Sequence, residues 1–225
     1  MRLHKFLAHA GVASRRKAES LIATGKIKVN SEIVDTQGMM VDPEKDIVEY
    51  NGKRLTITVE KTYLAIHKPV GYVSSVSSNQ GKSVLDLVKS KERLYPVGRL
   101  DKDSSGLMIL TNDGELANKL THPRYETEKE YFVVLDRDLL PKDIVRLERG
   151  VTLGGKRLKD IRVVMAKNKS ARLILKEGVN RQIRKMLGGM NYTVLKLKRV
   201  RIGKLELGEL QPGQSKHIDK KDVTA

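Results

Sequence analysis

A polar, glycine-punctuated segment at residues 95–114 carries the charged side chains that point most directly to chemistry. It places Arg99, Asp101, Lys102 and Asp103 directly before an apolar run and an Asn-Asp-Gly turn. An aspartate at the entry to an apolar strand can be kept ionised by a neighbouring arginine and can then act as a base or a nucleophile. The same residues could instead form surface ion pairs that solvate a turn. Their spacing alone leaves both interpretations open.

The elements that would position this segment are short strands and helices in mixed order. Strand-like runs occur at residues 63–67, 107–110, 130–135, 161–166, 171–175 and 193–200. Helical patterns occur near residues 84–89, 115–120, 141–149 and 180–187. Because no regular βαβ repeat is present, the order predicts an α+β domain around an antiparallel or mixed sheet.

The N-terminal segment predicts a separate, smaller unit. Residues 3–10 have helical spacing, and Ser14 can cap a second helix that ends near Gly25. Two short extended runs follow at residues 26–34, and a further strand is predicted at residues 46–50. Residues 53–62 have the composition of a linker. We therefore expect one domain at residues 1–60 and a second at residues 61–225.

The composition favours a polyanionic partner. Lys and Arg number 44 against 27 Asp and Glu, which gives a formal net charge of +17 over 225 residues and points to nucleic acid. The chain has no cysteine, which excludes disulfides, thiolate metal sites and cysteine nucleophiles. The five histidines lack the spacing of metal ligands, and neither a phosphate-binding Gly-x-x-x-x-Gly-Lys-Ser/Thr loop nor a Gly-x-Gly-x-x-Gly turn occurs. We expect chemistry without a metal or any other cofactor.

The same sequence carries no feature of a membrane or secreted protein. No stretch approaches the roughly 18 apolar residues of a spanning helix, and the first residues do not resemble a signal peptide. The expectation is a cytoplasmic protein without a membrane partner, working as a monomer.

The N-terminal unit resembles the S4 RNA-binding domain. The resemblance rests on the Gly-Val-Ala-Ser-Arg-Arg junction at residues 11–16 and the Gly-Lys-x-x-Val-Asn turn at residues 25–30. It implies that the basic residues of this unit bind RNA phosphates, although a solvated helix face would have the same composition. The residues concerned are Arg2, Lys5, Arg15, Arg16, Lys17 and Lys26.

The remainder of the chain resembles the RsuA/RluB-type pseudouridine synthases. Gly-Arg-Leu-Asp at residues 98–101, Ser-Gly-Leu at 105–107 and Thr-Asn-Asp-Gly at 111–114 look like the active-site motif of that family. His-Lys-Pro-Val-Gly at residues 67–71, Glu-Lys-Glu-Tyr at 128–131 and the run from Glu177 to Met186 fit the same family and occur in its order. With the S4-like start, the resemblance covers nearly the whole chain.

This resemblance implies a role for individual residues. Asp101 matches the catalytic aspartate that starts breakage of the C1′–N1 glycosidic bond, either by adding to the nucleotide or by removing a sugar proton. Arg99 and Arg184 are the expected cationic partners that keep Asp101 ionised. Tyr131 matches the residue that stacks on the uracil, and Leu197 matches an aliphatic residue of the pocket wall.

Three of these positions, and two further bases, have a simpler explanation. Tyr131 could be ordinary strand packing, and Leu197 could be an ordinary core residue. In the helical pattern near residues 180–187, Arg181, Arg184 and Lys185 share one face, which simple amphipathicity would also explain. Arg181 and Lys185 are expected to contact RNA.

The expected function is isomerisation of one uridine in ribosomal RNA, with ribosomal RNA or a pre-ribosomal particle as partner. The motifs favour large-subunit over small-subunit RNA. The chief alternative is a non-catalytic S4-containing RNA-binding or ribosome-assembly factor, in which an inactive synthase domain serves as a platform. The Asp101, Tyr131 and Arg184 set favours the enzyme, because a pure binder has no reason to hold a carboxylate against polyanionic RNA. Transfer RNA is a further possible substrate.

Overall fold

The computed structural model describes residues 1–57, 60–76 and 81–223. The chain divides into two compact units, Met1–Lys61 and Thr62–Ala225. No helix in the described part of the chain is long and apolar enough to cross a membrane.

The first unit combines two helices with a small antiparallel sheet. Its elements are α1 (Leu3–His9), α2 (Arg15–Ala23), β1 (Ile27–Val29), β2 (Glu32–Val34), β3 (Val48–Tyr50) and β4 (Lys53–Arg54). The sheet order is β2-β1-β3-β4. The Ser14 side chain accepts a hydrogen bond from the Lys17 backbone N–H, so the predicted cap starts α2. The helices and the sheet enclose one apolar core that includes Phe6, Leu7 and Ile27.

The linker expected at residues 53–62 is wrong at its start. The Asn51-Gly52 turn folds the chain back, and Arg54 pairs with Glu49 across the β3–β4 hairpin. The turn chemistry therefore continues the sheet for two residues into the predicted linker.

The second unit is built on one large mixed sheet, and it also has a separate two-stranded sheet formed by Val151–Leu153 and Lys156–Leu158. Its strands are β5 (Tyr63–Lys68), β6 (Tyr95–Val97), β7 (Ser105–Thr111), β8 (Lys129–Leu135), β9 (Val151–Leu153), β10 (Lys156–Leu158), β11 (Arg162–Lys167), β12 (Ser170–Leu175), β13 (Val194–Ile202), β14 (Leu205–Glu206) and β15 (Ser215–His217). Its α-helices are α3 (Gly114–Thr121), α4 (Pro141–Glu148) and α5 (Gln182–Gly188). Among the described residues the main sheet has the order β11-β12-β8-β13-β7-β5-β15, with β14 beside β13 and β6 beside β7. The β13–β7 pair is parallel and the other pairs are antiparallel, which confirms the predicted α+β class.

Strand β7 shows why the sheet has two covered faces. Its residues Leu107, Met108, Ile109 and Leu110 are all fully buried. Leu107 and Ile109 pack into one apolar cluster with α3, while Met108 and Leu110 pack into another on the other face. A continuous apolar run is typical of a strand covered on both sides.

Two predicted helices differ from the observed elements. The pattern at residues 84–89 is a 3₁₀ turn, Val84–Leu87, which Ser83 and Asp86 cap reciprocally. The helix expected at residues 180–187 begins only at Gln182, because Arg181 has a left-handed backbone (φ 52°). Arg181 therefore lies in the turn before α5 and does not share a helix face with Arg184.

Candidate active site

The Asp101 segment is a turn held from two sides. It connects β6 to β7, and the Asp101 carbonyl accepts a hydrogen bond from the Ser104 N–H at 3.0 Å. The Ser74 hydroxyl donates to the Leu100 carbonyl at 2.8 Å and accepts from the Leu100 N–H at 2.9 Å. The Gly71 N–H donates to the Lys102 carbonyl at 2.8 Å. The stretch after β5 therefore fixes the backbone immediately before and after Asp101.

Arg181 is the cation nearest to the Asp101 carboxylate. Its Nη1 lies 3.8 Å from Asp101 Oδ2, and its guanidinium also donates to both carboxylate oxygens of Asp103, at 3.2 and 3.1 Å. The Asp101 side chain keeps 27% of its surface exposed and can be reached by a ligand. The expected direct partners, Arg99 and Arg184, do not make this ion pair in the described structure. Arg99 is exposed and lines a cavity that also contains Asp101 and Arg181 in its wall.

Arg184 braces the turn through Asp103. It donates to the Val194 carbonyl at 2.7 Å and to the Asp103 carbonyl at 3.1 Å. Its Nε lies 3.3 Å from the Asp103 carboxylate, at ion-pair distance but without hydrogen-bond geometry. Burial acts to raise the pKa of Asp103, but the Arg181 hydrogen bonds and the Arg184 charge lower it overall. Asp103 thus anchors both arginines beside Asp101.

Tyr131 and Leu197 lie in the wall of a cavity beside Asp101. The cavity has a volume of about 330 Å³, within the usual range of small-ligand sites. Asp101, Arg99, Arg181, Tyr131 and Leu197 all line it. Tyr131 is half-buried on β8, and Leu197 is buried on the neighbouring strand β13. The structure therefore brings five of the residues singled out from the sequence to one cavity.

Two buried cations and one half-buried cation near this cavity were missed by reasoning from the sequence. They are Lys68, Lys129 and Arg199. Lys68 is completely buried and donates to the Pro69 and Tyr72 carbonyls at 2.9 and 2.8 Å. Burial lowers the pKa of Lys68 and of Lys129 to about 8 in each case. Each cation lies within a run already singled out, but no pattern of charges marks it as buried.

The basic residues of the first unit differ in their exposure to solvent. Arg2, Arg15, Arg16, Lys17 and Lys26 are exposed, and Lys5 is half-buried. Arg15 lies 3.1 Å from Nε2 of the buried His4, and His4 Nδ1 lies 3.4 Å from Glu19, so His4 links α1 to α2. In the second unit, Lys185 is exposed on α5. The described residues contain no group of three or more His, Asp or Glu side chains placed to hold a metal ion.

Two family models match the chain. The model described as RNA pseudouridylate synthase matches residues 62–188, and the S4 domain model matches residues 1–48. The first covers the Asp101 turn, Tyr131 and α5, and the second covers α1, α2, β1 and β2.

Relatives of known sequence and structure agree with these models. The chain is 42% identical to "Ribosomal large subunit pseudouridine synthase B" of Bacillus subtilis (strain 168), over 99% of the chain and 93% of the relative. It is 40% identical to an "Uncharacterized RNA pseudouridine synthase" of Aquifex aeolicus (strain VF5), over 99% and 92%. A solved structure titled "Crystal structure of pseudouridylate synthase" superposes with a TM-score of 0.73 at 27% identity and covers 99% of this chain and 98% of that one. The chain therefore belongs to the RNA pseudouridine synthases that carry an N-terminal S4 domain, and it is an enzyme of that family.

Proposed function

We propose that the protein isomerises a specific uridine of ribosomal RNA, with large-subunit RNA as substrate and Asp101 as the catalytic residue. The observation that carries this proposal is the position of Asp101. It lies in a braced turn at the wall of the cavity that Tyr131 and Leu197 also line, with Arg181 at 3.8 Å. Both proposed routes use the Asp101 carboxylate directly, as a nucleophile or as a base.

Asp101 begins the reaction at the sugar of the target nucleotide. It either bonds to C1′ or accepts a proton from the sugar, and the C1′–N1 bond breaks. The base then rotates and joins the sugar through C5. Arg181 orients the carboxylate, and Asp103 and Arg184 hold Arg181 and the turn in place. In this arrangement Arg184 acts through Asp103, and Arg99 remains at the cavity edge as a contact for RNA.

Tyr131 receives the extruded uracil. A base inside folded RNA cannot reach Asp101 unless it leaves its stack, and an aromatic ring compensates for part of the lost stacking. Tyr131 is suited to this because it packs against two apolar clusters and still lines the cavity. Leu197 supplies an apolar wall that disfavours water around the separated base.

The S4 unit anchors the RNA. Its exposed cations, Arg2, Arg15, Arg16, Lys17 and Lys26, are available to phosphates, and Lys5 lies partly covered among them. In the second unit, Lys185 is exposed and adds a phosphate contact in this proposal. The net charge of +17 agrees with a large polyanionic substrate.

The substrate can be identified by mapping pseudouridines. Total RNA from cells with and without the protein should differ at a site in large-subunit ribosomal RNA. Two features favour this RNA: the motifs around Asp101 and Arg184, and the large-subunit name of the Bacillus subtilis relative. A difference confined to small-subunit or transfer RNA would contradict the proposed substrate.

The role of Asp101 is tested by Asp101→Asn, which keeps the size of the side chain and removes its charge. We expect no detectable release of tritium from 5-tritiated uridine in the ribosomal RNA substrate, with RNA affinity retained at a fixed salt concentration. Asp103→Asn is the comparison, because it removes the same charge from the same turn. It should slow the reaction without abolishing it, since the Asp101 carboxylate remains. Wild-type tritium release by the Asp101 variant would remove Asp101 from the mechanism.

A further inference from the structure

A buried arginine lies beside Tyr131 in the cavity and has no role in the mechanism above. Arg199 on β13 is 2% exposed and lines the cavity. It pairs in register with Tyr131 of β8, so both side chains project from the same face of the sheet. Leu197 and Lys129 lie two residues away along the same two strands and share that face. Arg199 is therefore next to the ring on which the extruded uracil is proposed to stack.

The guanidinium of Arg199 is only partly satisfied. Its Nε donates to the Leu107 carbonyl at 2.8 Å, whereas Nη2 is buried without a hydrogen-bond partner among the described residues. Nor does any carboxylate in that part of the chain form an ion pair with it. A buried charged donor without a partner is costly, so its retention in a cavity wall indicates that a ligand supplies the partner.

The surroundings of Arg199 add positive charge and another unused donor. Arg199 lies close enough to Lys68 and Lys129 to lower the pKa of both, after the larger effect of burial. The Ser104 hydroxyl also lines the cavity and is buried without a partner among the described residues. The carboxylates of the Asp101 turn offset part of this charge at Lys68. The inner wall thus suits negative charge better than a neutral ring.

The substrate offers negative charge in two places. Its phosphates are charged throughout the reaction, whereas the uracil becomes charged only when the C1′–N1 bond breaks. Phosphates are strongly hydrated and suit exposed bases such as Arg181, whose side chain is 43% exposed. Arg199 is nearly inaccessible and lies beside Tyr131, where the base would be. The position of Arg199 is therefore suited to the negative charge that develops on the base, and not to a phosphate.

We propose that Arg199 is a further catalytic residue, which stabilises the uracil anion formed when the glycosidic bond breaks, with the Ser104 hydroxyl as a second donor. The inference rests on the proposed function of the Asp101 cavity. The electron pair of the C1′–N1 bond stays with the uracil and spreads over its ring and carbonyl oxygens. Fixed donors placed where charge develops lower the barrier most effectively in a water-poor site.

Bonds and protons are conserved in the isomerisation whichever route Asp101 takes. Asp101 forms an ester bond to C1′, or it accepts the C2′ proton, as the uracil leaves with the electron pair. When C5 bonds to C1′, the ester bond breaks or the proton returns to C2′. The C5 proton is then lost and N1 gains a proton, so no co-reactant is needed. Arg199 keeps its own proton throughout.

The test compares Arg199→Met and Arg199→Lys on two forms of the ribosomal RNA that the wild-type protein modifies, one with uridine and one with 5-fluorouridine. Fluorine withdraws electrons and makes the uracil anion a better leaving group, which needs less stabilisation from the protein. The rate is the loss of the target nucleoside under single-turnover conditions, measured by mass spectrometry after digestion. RNA affinity is measured in parallel.

We expect Arg199→Met to slow the reaction of uridine by about 10²–10³-fold, as for removal of one donor from an oxyanion hole. The loss should be clearly smaller with 5-fluorouridine, and RNA affinity should be retained. Arg199→Lys keeps the charge, so its rate should fall less than that of Arg199→Met. If Arg199→Met does not fold, the same two substrates are compared with Arg199→Lys. An equal loss on both substrates, or a loss of affinity alone, overturns the role of Arg199. A wild-type protein that modifies no ribosomal uridine would instead overturn the proposed function.

Discussion

Substitution of Gly106 by alanine tests how the fold places Arg199 in the cavity. Gly106 has φ +116°, and a Cβ at this position would lie 2.2 Å from the carbonyl oxygen and 2.4 Å from the nitrogen of Arg199. Both atoms are backbone, so β7 and β13 would have to separate by roughly 1 Å to restore ordinary contact distances. The strained φ costs about 1–3 kcal/mol, and overpacking adds about 1–3 kcal/mol. The sum is a large part of the roughly 5–15 kcal/mol that stabilises a typical domain.

Gly213→Ala is the matched control in the same unit. Gly213 also has a positive φ, +88°, but an added Cβ would meet no atom within 4 Å. The free energy of unfolding is measured in urea titrations followed by circular dichroism. Gly213→Ala should lose only the stability that a positive φ costs an alanine, and Gly106→Ala should lose clearly more. Gly106→Ala should also lower the rate of pseudouridine formation by about 10²-fold, because moving catalytic groups by about 1 Å can slow a reaction by that factor. Equal losses of stability in the two variants would refute the steric argument.

Three further outcomes follow from the site and the S4 unit. Tyr131→Ala should weaken capture of the uridine by about 1–3 kcal/mol in single-turnover kinetics, whereas Tyr131→Phe keeps the ring and should lose little. Lys129→Met should raise the free energy of unfolding at neutral pH, since a charge is no longer buried. The pKa of Lys129 is about 8 in the folded protein and 10.5 for a free lysine, so wild-type stability should rise as pH increases between these values, and the variant should show less of this rise. Arg16→Ala and Lys17→Ala should each reduce the slope of log affinity against log salt by about 0.7–0.9 if each side chain contacts one phosphate.

The elements were predictable where local pattern and burial agree. The runs at residues 63–67, 107–110 and 130–135 became β5, β7 and β8, because continuous or alternating apolar residues must be covered by the sheet or its helices. Short strands such as β6 and β15 were missed. Ser215–His217 is exposed on all three residues and pairs with β5 only because the chain returns to that sheet edge. Such pairing is decided by tertiary structure and leaves no hydrophobic period in the sequence.

The sequence predicted which residues belong to the candidate site better than it predicted the contacts between them. Motifs placed Asp101, Tyr131 and Arg184 in one site, but helical periodicity wrongly put Arg181 in α5. The left-handed backbone at Arg181 breaks that period and turns its side chain toward Asp101 and Asp103. A positive φ in a residue other than glycine is set by its surroundings, so a pattern of residue types does not reveal it.

The cations of this protein fall into two groups with different consequences for catalysis. In the proposed function, exposed residues such as Arg16 and Lys17 meet the phosphates equally before and during the reaction, so their contribution raises affinity without lowering the barrier from the bound state. Lys68 and Arg199 are buried and Lys129 is half-buried, and the lowered pKa of each lysine indicates that its charge is held at a cost to the folded state. In the proposed mechanism, that cost is recovered when negative charge forms inside the cavity as the base separates from the sugar. Interactions that become stronger as the base separates lower the barrier and raise the rate. Substitutions of Lys68, Lys129 or Arg199 should therefore change turnover, and substitutions of the exposed cations should change affinity.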